Sequence, residues 1–236
     1  MIKKVLLFVL CLYVQQSVFA QKGFRIGPSI GLASSRSHVL DTLPDNFNFR
    51  FKSGFNVALS FQYGFTDRFT FGTGIGYTNK GYRIFNDSNS RGDLLKHNFG
   101  NLELPFNAIY RMRIGATSKM RALAGVTLNY QIGTTEKVLR NNNSTFVIAE
   151  KSINNLYPML NLGVEIGSEG KSGNMFLFGV YYKQSFTQMS ELSVFNQPDI
   201  NQQRLFALGY RGSYISIGFS YLFDMKNFKR DEEFFY

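Results

Sequence analysis

The strongest constraint on this chain is an alternation of apolar and polar side chains. In the stretch NLELPFNAIYRMRIG, residues 101–115, Leu102, Leu104, Phe106, Tyr110 and Met112 fall at every second position, with Glu103, Pro105, Asn107, Arg111 and Arg113 between them. Side chains of a strand point to opposite faces with a period of two, so the stretch has one face for hydrocarbon and one for something wet. The same pattern recurs in segments beginning near Phe24, Phe55, Phe69, Ala122, Leu160, Phe176 and Ile215. About eight segments of roughly ten residues result, the length a tilted strand needs to cross a bilayer.

The connections alternate too. Those after the second, fourth and sixth segments are short (GFTDR, IGATSK, GSEGKSGN), whereas residues 35–53, 80–100, 131–156 and 187–212 form long polar connections. An up-and-down sheet puts all the long ones on one side, as in outer-membrane barrels with tight periplasmic turns and extended external loops. A soluble barrel would show the same alternation turned inside out. Glycine decides between the two, because Gly27, Gly31, Gly72, Gly74, Gly76, Gly125, Gly163, Gly179 and Gly218 all fall on the polar face. A narrow barrel must fit its interior side chains, so that face is the interior. Aromatics collect at both ends: Phe24, Tyr63, Phe69, Tyr110, Phe176, Tyr221 and Phe223 at the turn end, and Phe55, Tyr77, Tyr130 and Tyr214 at the loop end. Such girdles sit at headgroup depth.

The first twenty residues read as a secretory signal: Lys3 and Lys4, an apolar run from Val5 to Val14, then Val18 and Ala20 before a cut that leaves Gln21 first. Cys11, the one cysteine, lies in that run, so the processed chain is expected to hold no disulfide or thiolate metal site. The formal charge of +10 suits acidic lipid headgroups or lipopolysaccharide phosphates better than nucleic acid, which an exported chain seldom meets. The expected organisation is a signal at 1–20, an eight-stranded antiparallel up-and-down barrel over 21–223, and a periplasmic tail over 224–236.

Through NLELPFNAIYR, GIGYTNKGY and the closing SIGFSYLF, the chain resembles the PorT-like outer-membrane β-barrels of Gram-negative bacteria. The markers are Leu104-Pro105 after Glu103, Lys80-Gly81-Tyr82, and Ser216, Gly218, Tyr221 and Phe223 in the last segment. The resemblance implies that these last four are read by the barrel-assembly machinery. Most members have no assigned activity, so a role in secretion is not implied. The extension DMKNFKRDEEFFY departs from barrels that stop at a final aromatic. It reads as a frayed tail, or as a segment whose Phe234, Phe235 and Tyr236 dock on a partner or tuck into the barrel mouth.

On the inward face lie Arg25, Glu103, Arg111, Arg113, Arg121, Glu165 and Lys183. Strand direction brings Arg25, Arg111, Arg113, Arg121 and Glu165 together near the periplasmic end and leaves Glu103 and Lys183 nearer the outside. Glu165 is expected to accept from two or more of the arginines, since unpaired buried ions cost several kcal/mol. One reading is a structural plug of ion pairs, the other an anion site or narrow conduit. A hydrolytic or acyl-transfer site would draw on His38 with Ser35, Ser37 and Asp41, or on His97 with Asp93. No pair of histidines has metal-ligand spacing, and GTGIGY lies within a strand pattern with no helix after it. The sequence therefore predicts a non-catalytic scaffold acting through its external loops or tail on a protein or lipopolysaccharide, without cofactor or metal, and as runner-up a narrow channel or site for a small anion.

Overall fold

The computed structural model describes residues 23–35, 47–86, 93–115, 117–132, 137–140, 146–196 and 204–225; the expected signal with its Ala20–Gln21 cut and the tail beyond residue 225 lie outside them. Among the described residues thirteen strands are formed: β1 (Phe24–Ser35), β2 (Phe47–Arg50), β3 (Lys52–Gly64), β4 (Phe69–Asn86), β5 (Asp93–Arg113), β6 (Ser118–Ile132), β7 (Lys137–Arg140), β8 (Phe146–Ser152), β9 (Leu156–Glu169), β10 (Met175–Ser185), β11 (Ser190–Asn196), β12 (Arg204–Tyr210) and β13 (Tyr214–Asp224). Eight of them close a ring of antiparallel neighbours in the order β1-β3-β4-β5-β6-β9-β10-β13, with β13 returning to β1. Closure leaves no sheet edge in the hydrocarbon, so the backbone polar groups are satisfied between strands.

The alternation points the way the glycines imply. Ile30, Leu32, Phe178, Val180, Ile217 and Phe219 are 42–64% exposed on the outside, whereas Arg121 is 0% and Ser216 2% exposed within. The outer surface is a band of hydrocarbon-facing rings and branched chains, with stacked or tilted pairs such as Phe176–Phe219 and Phe69–Tyr110. Tyr214 is the exception to the expected girdle: it is 2% exposed and turned into the lumen. Its parity is that of Ser216 and Gly218, so it belongs to the inner face.

Three short turns join strands on the periplasmic side. Between β3 and β4 the Thr66 hydroxyl accepts from the Phe69 amide at 2.9 Å, which closes the turn locally. Between β9 and β10 Gly173 takes a φ of +79°, and a Cβ there would also meet the Asp224 carboxylate at 2.7 Å. Proline leaves a trace within the closed sheet. The β1–β13 ladder lacks its pairs at Gly27 and Pro28, and the β4–β5 ladder lacks those between Gly76–Glu103 and Thr73–Phe106, where Pro105 has no N–H to donate.

The external connections differ from the expectation of plain loops. β4 and β5 run on as a long hairpin joined by β2, and β7, β8, β11 and β12 form a separate four-stranded sheet in the order β12-β11-β8-β7. In sequence these segments set apolar and polar residues at both parities, as in FVIAEKS and RLFALGY, so no clean alternation announces them as strands, although pairing between neighbours still satisfies the backbone.

Candidate functional site

The lumen holds the chemistry, and it divides into distinct levels. In the outer part Glu103, from β5, pairs with one lysine and feels the charge of a second. Lys183 of β10 forms an ion pair with its carboxylate, and the Tyr214 hydroxyl donates to Oε1 at 2.7 Å. Lys80 of β4 is 1% exposed; its ammonium sits 4.9 Å from the Tyr214 ring, 5.4 Å from the Tyr157 ring and 3.7 Å from the Met159 sulfur. The ring faces supply the negative potential that a desolvated ammonium needs. Tyr157 in turn donates to Asn101 at 2.6 Å. Beyond these, Tyr82, Phe99 and Tyr210 contact one another at 5.1–5.7 Å between ring centres, each at most 3% exposed, beside fully buried Met189. This part of the lumen is filled with packed rings.

In the middle, Arg121 of β6 lies 2.9 Å from Glu165 of β9, and its Nη2 donates to Gln62 at 3.0 Å. The Tyr181 hydroxyl donates to Glu165 at 2.8 Å. Glu165 thus takes one arginine and a phenol, where two or more arginines were expected. The cause is strand neighbourhood: Arg121 stands directly opposite Glu165 on the adjoining strand, while Arg111 lies one strand further round on β5 and lines the mouth with Arg25. A small space of about 120 Å³ remains beside this group.

At the periplasmic mouth the lumen widens into a vestibule of about 760 Å³ lined by Arg25, Arg68, Arg111, Arg113 and Lys119 with Asp67, Glu169 and Asp224. Arg25 donates from Nη2 to Glu169 at 2.7 Å and from Nε to the Gly173 carbonyl at 3.2 Å, and lies 3.6 Å from Asp224. Lys119 pairs with the other oxygen of Glu169. Between the strands of Arg25 and Glu169, β10 and β13 contribute a buried apolar cluster of Met175, Leu177 and Leu222, with Met175 in register with Glu169.

The seven charges expected inside are all inward, but they do not form one network. Glu103 and Lys183 make the outer group, Arg121 and Glu165 the middle, and Arg25, Arg111 and Arg113 the mouth. Sequence reasoning missed Lys80, Lys119, Glu169 and Asp224. Parity could have found them, since residues 78 and 80 continue the face of Gly76, and residue 119 that of Arg121. Residues 167 and 169 continue the face of Glu165 in the same way. Of the assembly-signal residues, Ser216 and Gly218 face inward and Tyr221 and Phe223 outward. Of the candidate catalytic groups, Ser35 is fully buried and bonded both ways to the Gly81 backbone. His38, Ser37 and Asp41 and the side chains of Asp93 and His97 lie outside the described residues.

A family model for the outer membrane protein beta-barrel domain matches residues 19–191. Among solved structures, OprG from Pseudomonas aeruginosa superimposes with a TM-score of 0.55 at 15% identity, over 86% of this chain and 96% of that one. Neisserial surface protein A gives 0.48 at 13% identity over 86% and 99%, and a major outer membrane protein from Thermus thermophilus gives 0.45 at 12% over 83% and 99%. No curated protein matches the chain in sequence. At these identities the likeness concerns the fold. With the alternation, the inward glycines and the closed ring already in place, the chain belongs to the outer membrane protein beta-barrel domain family and resides in the outer membrane.

Proposed function

We propose that this barrel is a non-conducting scaffold that presents its external strands to a macromolecular partner and performs no catalysis. The observation that carries the reading is the contrast at the outer rim. The lumen there is closed by buried rings around Lys80, Lys183 and Glu103, while the chain above it forms ordered strands, including a sheet of its own. A conduit would need the rings to part, whereas a scaffold needs them fixed. Within its family the chain fits the PorT-like barrels. Their Lys80-Gly81-Tyr82 marker supplies two plug residues, and the Leu104-Pro105 marker falls at the interrupted β4–β5 ladder. The outward Tyr221 and Phe223 suit a final strand handled by the barrel-assembly machinery, and lipid and lipopolysaccharide are its surroundings.

Planar-bilayer recording tests the closed lumen. Wild type should show no steady conductance, and the triple change Tyr82→Ala, Phe99→Ala, Tyr210→Ala should create one. Steady wild-type current that disappears on changing Arg111 and Arg113 would favour the anion channel instead. The scaffold half is tested by photo-crosslinkers placed in cells at positions 150 and 193 of the external sheet, with position 217 on the lipid face as control. Protein or lipopolysaccharide adducts at the first two sites alone are expected; identical adduct patterns at all three would sink the idea.

A further inference from the structure

The periplasmic mouth carries an arrangement that neither stability nor the scaffold reading requires. In the β5–β6 ladder Arg111 stands directly opposite Arg121, and Arg113 directly opposite Lys119. Positions two apart share a face, so these four side chains form a square of cations on the inner wall. Directly opposed like charges destabilise a sheet, and here the repulsion is built in twice. The local carboxylates do not cancel it. Glu165 is committed to Arg121, and Glu169 is shared by Arg25 and Lys119.

Arg111 and Arg113 are left over. The Nε and Nη2 atoms of Arg111 are buried without a hydrogen-bond acceptor among the described residues, and these two form the side-on edge of the guanidinium that holds two oxygens of one oxyanion. The charges acting on Arg111 are the repelling Arg25 and Arg121 and the attracting Glu169 and Asp224, both of the latter engaged with Arg25. Arg113 is exposed at the rim of the same cavity, and Arg68 adds a further cation from the β3–β4 turn. Around the vestibule cations outnumber carboxylates five to three.

The geometry points to an oxyanion site on this wall, open to the periplasm, for a ligand bearing two or more neighbouring phosphate or carboxylate groups. Arg111 and Arg113 both line the vestibule and stand two apart on β5, with Cβ atoms about 7 Å apart, so the pair suits two neighbouring anionic groups better than a single small ion. A cavity of about 760 Å³ falls within the range that holds an organic ligand. The site lies at the opposite end from the plug and stands independently of the scaffold reading. Two sources could supply such groups. One is a phosphorylated or polycarboxylate solute of the periplasm. The other is this chain, whose Asp231, Glu232 and Glu233 follow within nine residues of Asp224 in the vestibule wall.

Calorimetry with pyrophosphate as the probe, at low salt in detergent, tests the site on the full chain and on a variant ending at residue 225. Binding to at least one of them is expected, and the double change Arg111→Gln, Arg113→Gln should weaken it by about a hundredfold, one decade for each charge-assisted hydrogen-bonding group removed. Arg68→Gln, in an exposed turn outside the square, should weaken it several-fold while leaving the heat-dependent gel mobility of the folded barrel unchanged. Tenfold tighter binding by the shortened chain would identify the tail as the resident anion, and equal binding would identify a solute. No binding by either chain, or undiminished binding by a folded double variant, overturns the site.

Discussion

The two ends of the lumen use the same raw materials to opposite effect. At the outer end one carboxylate pairs with Lys183 and attracts Lys80, and tyrosine rings complete the shell around all three charges. At the periplasmic end cations stand in excess, Arg68, Arg111 and Arg113 lack a carboxylate partner among the described residues, and a large cavity is left open. Charge at the outer end is embedded in packing and cannot be removed singly without loss. Charge at the mouth is stored against repulsion and can be removed with a gain. The sign of a charge-deleting substitution therefore distinguishes the two ends.

The largest effect is expected for Glu103→Gln. It leaves Lys183 without its ion-pair partner and Lys80 without the attracting carboxylate in a buried, ring-lined space, and breaking a buried pair from one side costs about 3–5 kcal/mol. A lower urea midpoint for the loss of heat-modifiable gel mobility in lipid vesicles would show it, and an unchanged midpoint would break the contrast. Tyr214→Phe, which removes one hydrogen bond to the same carboxylate but keeps the ring over Lys80, should cost about 1.5–3 kcal/mol by the same assay. At the mouth the sign reverses. Arg111→Gln should stabilise the barrel by about 0.2–1 kcal/mol and raise the midpoint accordingly, by relieving the repulsion from Arg121 across the ladder. Arg113→Gln, more exposed and screened, should change it by less, and the gain should shrink further at high salt. A destabilised Arg111→Gln barrel would mean that this arginine is structural after all.

How much of this could be read from the residues depends on how local the determinant is. The eight wall strands, their inward and outward faces and the sidedness of the connections follow from parity and turn length, both properties of a single strand or hairpin. Pairing across the ring does not. Arg25 meets Glu169, 144 positions away, and Lys183 meets Glu103, 80 away, because the stagger of a closed barrel sets which levels coincide. That stagger is a property of the whole ring, so the expected gathering of arginines on Glu165 resolved into three separate groups. The inward Met175, Leu177 and Leu222 also defeat a rule of polar interiors, since a narrow barrel fills whatever volume its glycines leave. The external sheet was illegible for another reason: segments such as FVIAEKS and RLFALGY carry apolar residues at consecutive positions, so no period of two stands out.

Unequal strand length gives the molecule a front and a back. β4 and β5 have 18 and 21 residues, while β10 and β13 across the ring have 11 each. At strand rise and barrel tilt, roughly seven to ten additional residues carry the β4–β5 hairpin about 15–25 Å beyond the ends of β10 and β13. Across the ring the chain leaves the wall after β10 and continues as β11 and β12 of the separate external sheet before returning as β13. Anything settling onto the cell surface at this point therefore meets an unbroken extension of the barrel wall on one side and an independently paired sheet on the other, and approach is directional.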